Sequence, residues 1–486
     1  MSWTTRGGLA VDDQGTQRGG EGTTAHLTRR ALLRQGLATG LAISGAAAIG
    51  SRYTPAVAAS PWSLGAAAQA YRGQAIHIVL PTWKNAFETI GKDFTAQTGI
   101  GVTVTLLPFD DLFEKGLLDA KTGVGTYDLL AVESTWTGSF YGGGATVDLE
   151  PFFRNTALAD PSYDNADFMN LRRYAIWNGR QYGFGMYASS HLLYYRTDLF
   201  ENPTYQAQFK AKYGSPLQPP QNWDQYKNVA EFFNTVGWKT PSGDKGHGII
   251  IIGKRGPDYW TLFLDRFAGI TNLERKQQVD LIDAQHNVTF DNDIGVRAMQ
   301  AYADALQYAP AGALEVDQTG AWAAFMAGNA AMVEQWHTLL QHVTDPAQSK
   351  VAGKVKVAFE PGRRPCIGGW GLGVSAASKH KEAAFLFAQY ATNRQNDLRA
   401  FVIDGKFPGR KSTLQTPELA KIYPGDRSVL WQSIESASYT PNLPEYGALR
   451  DSFEQETAKV LAGQEGARNA VTAIANAWRD TLKKYK

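Results

Sequence analysis

Three short apolar runs, 76–80, 102–107 and 128–132, are separated by segments whose apolar residues recur with helical spacing, and this alternation narrows the available folds more than any other feature. The first run stops at Pro81. Phe87, Ile90 and Phe94 then stand at i, i+3 and i+7, and Gly99 supplies a helix stop. Strand, helix, strand, helix, strand predicts a parallel sheet covered by helices. The grammar returns further on. Asn222 and Gln225 form an N-cap pair ahead of an apolar face of Tyr226, Val229, Ala230 and Phe233. The isoleucine run 249–252 suits a strand buried on both faces. Further helices are predicted over 293–307 and 381–391. The chain of 486 residues exceeds what one core usually supports, so an α/β protein of two lobes is expected.

Charge is informative once divided. Residues 1–58 hold six Arg and three acids, which leaves 42 basic against 43 acidic residues in 59–486. The body therefore has no electrostatic case for nucleic acid or an anionic membrane surface. The basic excess sits where Arg29-Arg30 precedes a mild Gly- and Ala-rich stretch and then Ala56-Val57-Ala58, the layout of a twin-arginine signal peptide over 1–58. The apolar stretch is too short for a stable membrane span. A folded, exported, periplasmic protein is expected. The single cysteine, Cys366, excludes a disulfide framework and lies far from the cleavage site.

Catalytic signatures are missing: there is no His-Glu-x-x-His, no Gly-x-Ser-x-Gly, no phosphate loop and no Cys-x-x-Cys. Gly371 to Ala376 fits Gly-x-Gly-x-x-Ala but stands in a strand-like segment, so the dinucleotide reading is dropped. With eight His and no calcium-loop pattern, no metal and no cofactor are expected. Asp110, Asp111, Glu114 and Glu133 could supply the carboxyl pair of a glycosidase. Asp111 and Glu114 equally suit a solvated helix start, where acids meet the positive dipole end. Glu133 ends a strand.

Aromatic residues give the positive signal. Trp83 follows the first strand and Trp136 the third, where ligands of α/β sheets bind. Trp faces suit the C–H patches of sugar rings. The competing reading is core, because a chain with 13 Trp must bury most of them. Both readings stand for Trp83, Trp136, Trp336 and Trp370, whereas Trp177 and Trp223 read as core.

These features, with Asp128 to Glu133, Tyr182-Gly183-Phe184-Gly185, Leu193 to Phe200, Pro220 to Tyr226, Phe325 to Met332 with Trp336, Gly368 to Val374, and Pro408 to Ser412, occur in an order that resembles the extracellular solute-binding proteins of ABC importers. The match is to their large sugar-binding family, which includes maltodextrin-binding protein. The resemblance implies a type II periplasmic-binding fold with a ligand cleft between lobes. Lobe one is expected over 59–186 plus 365–412, and lobe two over 187–364 plus 413–486. Phe184-Gly185-Met186-Tyr187 departs from the small apolar-Pro turn common at the family's first crossing.

Carried over position by position, the resemblance implies a site of Trp83, Asn85 and Asp110, with Glu133 and Trp136, from lobe one. Lobe two gives Tyr187, Trp260 and Trp336, and the later crossings give Gly369, Trp370 and Arg410. The implied function is non-catalytic capture of a mono- or oligosaccharide and its delivery to membrane permease subunits, by a monomer. Two alternatives accompany it. One is a polyol or glycerol-phosphate ligand, for which Arg363, Arg364 and Arg410 would meet the anion. The other, from a different class, is an exported glycoside-active enzyme.

Overall fold

The structure is a computed structural model that describes residues 62–82, 84–404, 407–423 and 426–485. The expected leader over 1–58 and the site candidate Trp83 lie outside the described residues. Ten strands are described: β1 (Ala75–Pro81), β2 (Gly101–Leu107), β3 (Leu129–Glu133), β4 (Ile176–Trp177), β5 (Arg180–Gln181), β6 (Gly183–Arg196), β7 (His247–Ile250), β8 (Ala330–Trp336), β9 (Val355–Ala358) and β10 (Ile367–Val374). All but the β4–β5 hairpin join one sheet in the order β2-β1-β3-β10-β6-β8-β7, with β9 also on β6.

The first half follows the sequence pattern. β1 pairs in parallel with β2 and β3, joined through the helices Ala86–Thr98 and Phe109–Thr122. The first of these buries Phe87, Ile90 and Phe94 and stops at Gly99, whose φ of 73° lies in the left-handed region that glycine enters without strain. The sheet is mixed, not wholly parallel, because β10 returns from far along the chain to lie antiparallel to both β3 and β6. The helices Lys381–Ala391 and Arg394–Asp404 follow it and pack on Ala86–Thr98.

β6 is the longest strand. Gly183 to Ser190 pair with β10, whereas His191 to Arg196 pair with β8 and β9. Met186, near which the first crossing is expected, therefore lies inside a continuous strand, in keeping with the departure of Phe184 to Tyr187 from the family's turn. In the second half, β7 covers only the start of the isoleucine run, although all four isoleucines are buried. The helix expected over 293–307 is α-helical over Asp293–Ala305 and tightens to a 3-10 turn at Leu306–Tyr308. Asn222 caps Trp223–Thr235 by accepting the Gln225 N–H at 2.8 Å. The Gln225 side chain accepts from Gln221 instead of from the cap residue.

One ion pair lies in the core of this half. Arg266, on the helix Asp258–Arg275, donates twice to Glu334 of β8, each bond 2.9 Å. Its guanidinium lies 4.4 Å from the Trp223 ring and 5.1 Å from the Tyr302 ring. Both charged side chains are buried, and so is Glu360, whose two oxygens have no hydrogen-bond partner among the described residues. Burial and the neighbouring Glu334 and Asp265 push the Glu360 carboxyl well above the usual range.

Candidate functional site

A cavity of 640 Å³ opens at the carboxyl ends of β1 and β3, where Pro81 and Glu133 are the last strand residues. Its opposite wall comes from the starts of three helices, Asp258–Arg275, Gln318–Met326 and Tyr446–Leu461, and from Trp336 at the end of β8. A smaller groove of 290 Å³ lies between Trp223–Thr235 and Asp293–Ala305, away from any strand end.

Six of the residues expected from the sequence meet at the larger cavity: Asp110, Glu133, Tyr187, Trp260, Trp336 and Trp370. Asp110 stands in the first turn of Phe109–Thr122 and not in a loop. Trp136 does not line the cavity. Its ring is wholly buried 5.3 Å from Trp370 and 4.6 Å from Phe109, so it backs two of the liners. Gly369 also points away, since a side chain there would strike the Tyr174 ring at 2.3 Å. Its neighbour Gly368 lines the cavity and faces Trp336, where a Cβ would come within 2.7 Å of the indole. Asn85 is exposed at the head of Ala86–Thr98, outside the cavity.

Arg410 is misplaced by the sequence reading for a physical reason. Its guanidinium is buried in a structural socket, donating to the carbonyl oxygens of Thr392 at 2.9 Å and Asp164 at 2.7 Å and lying 3.9 Å from the Phe168 ring. Arg363 lies over Phe359, and Arg364 donates to the Ser436 carbonyl oxygen. None of the three arginines lines the cavity.

The sequence reading missed Asp258, Trp322, Tyr446 and Arg450. Trp322 is fixed by its indole N–H donating to Gln335 at 2.7 Å. The Tyr446 ring touches Trp260 and Phe113, each at 5.5 Å, and so joins the two walls. Tyr446 and Arg450 are an i, i+4 pair on one helix, a spacing that could have been read as a shared face. Nothing local marks that face as a site.

The polar groups are held in place. Glu133 accepts from the Thr135 N–H at 2.7 Å and from the Ser134 and Thr135 hydroxyls. Burial still raises its carboxyl above the ordinary range against those bonds. Burial raises Asp258 as well, against the charge of His191 and the Trp336 side chain. His191 packs under Trp336, ring centroids 3.9 Å apart, and is tied to Asp265 at 2.5 Å. Burial pushes the Tyr187 hydroxyl up to about 12, so it stays a neutral donor. Arg450 reaches across from the helix Tyr446–Leu461 to Asp110 at 3.3 Å while its Nε donates to Glu454 at 2.6 Å. The walls thus offer aromatic faces, fixed acceptors and a few donors, which is the equipment for holding a hydroxylated, partly apolar small molecule. Among the described residues no group of three His, Cys, Asp or Glu is placed to hold a metal ion. No described helix is long and apolar enough to cross a membrane.

The profile of the bacterial extracellular solute-binding proteins matches residues 81–397. A probable amino-acid ABC transporter periplasmic-binding protein of Sinorhizobium fredii is 24% identical over 374 residues, 74% of this chain and 78% of the relative. The erythritol/L-threitol-binding protein of Mycolicibacterium smegmatis is 25% identical over 425 residues, 81% of this chain and 84% of the relative. Among solved structures, an ABC transporter solute-binding protein from Agrobacterium radiobacter in complex with ribitol superposes with a TM-score of 0.70 at 23% identity, covering 84% of this chain and 99% of that one.

Proposed function

The chain belongs to the bacterial extracellular solute-binding protein family, and on that premise we propose that it is the ligand-capturing subunit of an ABC-type importer for a sugar or polyol. One observation carries the reading: the cavity at the strand ends is walled by Trp260, Trp322, Trp336, Trp370 and Tyr187 with carboxylates between them. Aromatic faces take the C–H side of a carbohydrate, and Glu133 and Asp258 accept from hydroxyls. The names of the relatives point two ways, to an amino acid and to tetritols. A free amino acid needs a cation for its carboxylate. Among the described residues the one Arg lining the cavity, Arg450, is already engaged by Glu454 and Asp110, which favours the polyhydroxylated class. A glycerol-phosphate ligand loses its sequence support for the same reason, since Arg363, Arg364 and Arg410 are engaged elsewhere.

In this reading the two walls belong to two lobes, 59–186 plus 365–412 and 187–364 plus 413–486, which close on the ligand by a hinge motion. The change of pairing partner along β6 at Ser190 and His191 and the start of β10 at Ile367 support that division. The Asp110–Arg450 contact links the two walls. Export through the 1–58 leader and delivery by a monomeric protein to permease subunits complete the proposal. The protein binds its ligand without turning it over.

The test is a thermal-shift screen of the purified protein against sugars and alditols, with the supernatant analysed for products. A ligand at about 100 times its Kd should add roughly 2.7 kcal/mol of stability and be recovered intact. No shift with any sugar or alditol, or consumption of the ligand, refutes the reading.

A further inference from the structure

The ionisable groups around the cavity do not balance. Among the described residues, Asp110, Glu133 and Asp258 line it against one cation, Arg450, which Glu454 and Asp110 already occupy. Glu133 is served by Ser134 and Thr135. Asp258 differs from the others: it forms no ion pair with any described Lys or Arg, although it lines a wall shared with Trp260, Trp322 and Trp336. The charged groups around it are themselves tied up. His191 is held by Asp265, Asp317 by Lys254 at 3.2 Å, and Glu454 by Arg450.

From this arrangement we infer that the ligand carries a protonated amine on a polyhydroxylated skeleton, an amino sugar or amino-alditol, with Asp258 as its counter-charge and the neighbouring Trp faces around the ammonium. The inference rests on the cavity being the ligand site and adds to it the ligand's charge. Burial of the Asp258 carboxylate is offset only by the Trp336 side chain and by His191, which Asp265 already holds, and an ammonium group removes the remaining penalty directly. The faces of Trp rings attract the same cation, and more strongly as solvent is excluded. A neutral ligand uses Asp258 only as a hydroxyl acceptor and adds no cation to the Trp336 side chain and His191 that already face it, and an anionic ligand is repelled by it.

The test uses the full protein and matched pairs in isothermal titration calorimetry: D-glucose with D-glucosamine, and D-glucitol with 1-amino-1-deoxy-D-glucitol. N-acetyl-D-glucosamine keeps the substituent position and removes the charge. The amine members should bind about tenfold tighter than their neutral partners, a difference of about 1.4 kcal/mol, and N-acetylation should abolish the gain. Asp258→Asn should bring the amine-to-neutral ratio to about one. Neutral members binding as well as the amines overturns the inference and leaves the sugar- or polyol-binding function standing. A tenfold preference that survives in a folded Asp258→Asn protein overturns the role of Asp258. If that variant does not fold, the N-acetyl comparison in the unmodified protein decides. Failure of every pair to bind removes the inference together with the function beneath it.

Discussion

Removing the cation from the buried Arg266–Glu334 pair should be among the most destabilising single changes available to this chain. Arg266→Met keeps most of the side-chain volume over Trp223 and Tyr302 but deletes two 2.9 Å bonds to Glu334 and one to the Leu262 carbonyl oxygen. Glu334 is then a buried carboxylate beside a second buried acid, Glu360, with no compensating charge. Breaking a buried pair from one side costs about 3–5 kcal/mol, because the remaining charge is desolvated and alone. Exposed pairs set the contrast. Lys356–Glu201, with both side chains more than half exposed, should contribute no more than about 1 kcal/mol. Urea unfolding followed by Trp fluorescence would report the loss as a lowered midpoint at unchanged m. The double variant Arg266→Met/Glu334→Leu should recover most of it, since an apolar pair of similar volume carries no desolvation penalty. A single-variant loss below about 1 kcal/mol, or a double variant as unstable as the sum of its parts, would refute the account of this core.

Three further outcomes are expected. Trp336→Ala should weaken ligand binding about tenfold or more with little change in unfolding midpoint, because its ring is partly exposed to the cavity; a stability loss of about 3–5 kcal/mol in denaturation would mark it as a core ring. The folded Glu360 carboxyl titrates above its unfolded value, so between about pH 4.5 and the folded pKa the folded state holds a proton that the unfolded state has lost, and stability falls as pH rises. Glu360→Gln should therefore gain on the parent protein progressively above about pH 4.5 in parallel denaturation curves, and a gap independent of pH would disprove it. Burial lowers the His337 imidazole to about 4, against the Ser190 and Leu430 carbonyl oxygens, so as pH falls from about 6.5 the unfolded state takes up a proton that the folded state refuses. That lost stability amounts to about 3 kcal/mol by pH 4, and His337→Gln should flatten the curve over that window; an unchanged slope would show that the group titrates normally.

The first half of the fold was legible because its signals are local. Phe87, Ile90 and Phe94 repeat along one face of one helix, and the apolar runs of β1 and β3 are interrupted only by His77. β6 was harder to read as one strand, since Gly185, Ser189 and Ser190 break its apolar run and only the partners β10 and β8 make it continuous. On the site side, Glu133 and Trp336 could be read as cavity liners because strand ends are marked in the sequence, whereas Trp370 stands in the middle of β10 and was carried over from the resemblance. Of the far wall, Trp260 and Trp336 were legible but Asp258, Trp322 and Arg450 were not, because these come from three helices distant in the chain and meet only in the fold. Trp136 and Arg410 show the converse limit. An aromatic or a guanidinium after a strand reads the same whether it faces a ligand or, as here, packs inward on Phe109 or Phe168.

β6 has a consequence for how the molecule comes apart. Because one strand supplies ladder bonds to β10 at its beginning and to β8 and β9 at its end, freeing either sheet half also strips the other of a central partner. Two halves joined only by loops could melt one after the other. Here the shared strand ties their cooperativity together, so calorimetry should record a single endotherm, and its amides near Ser190 and His191 should exchange only through global opening.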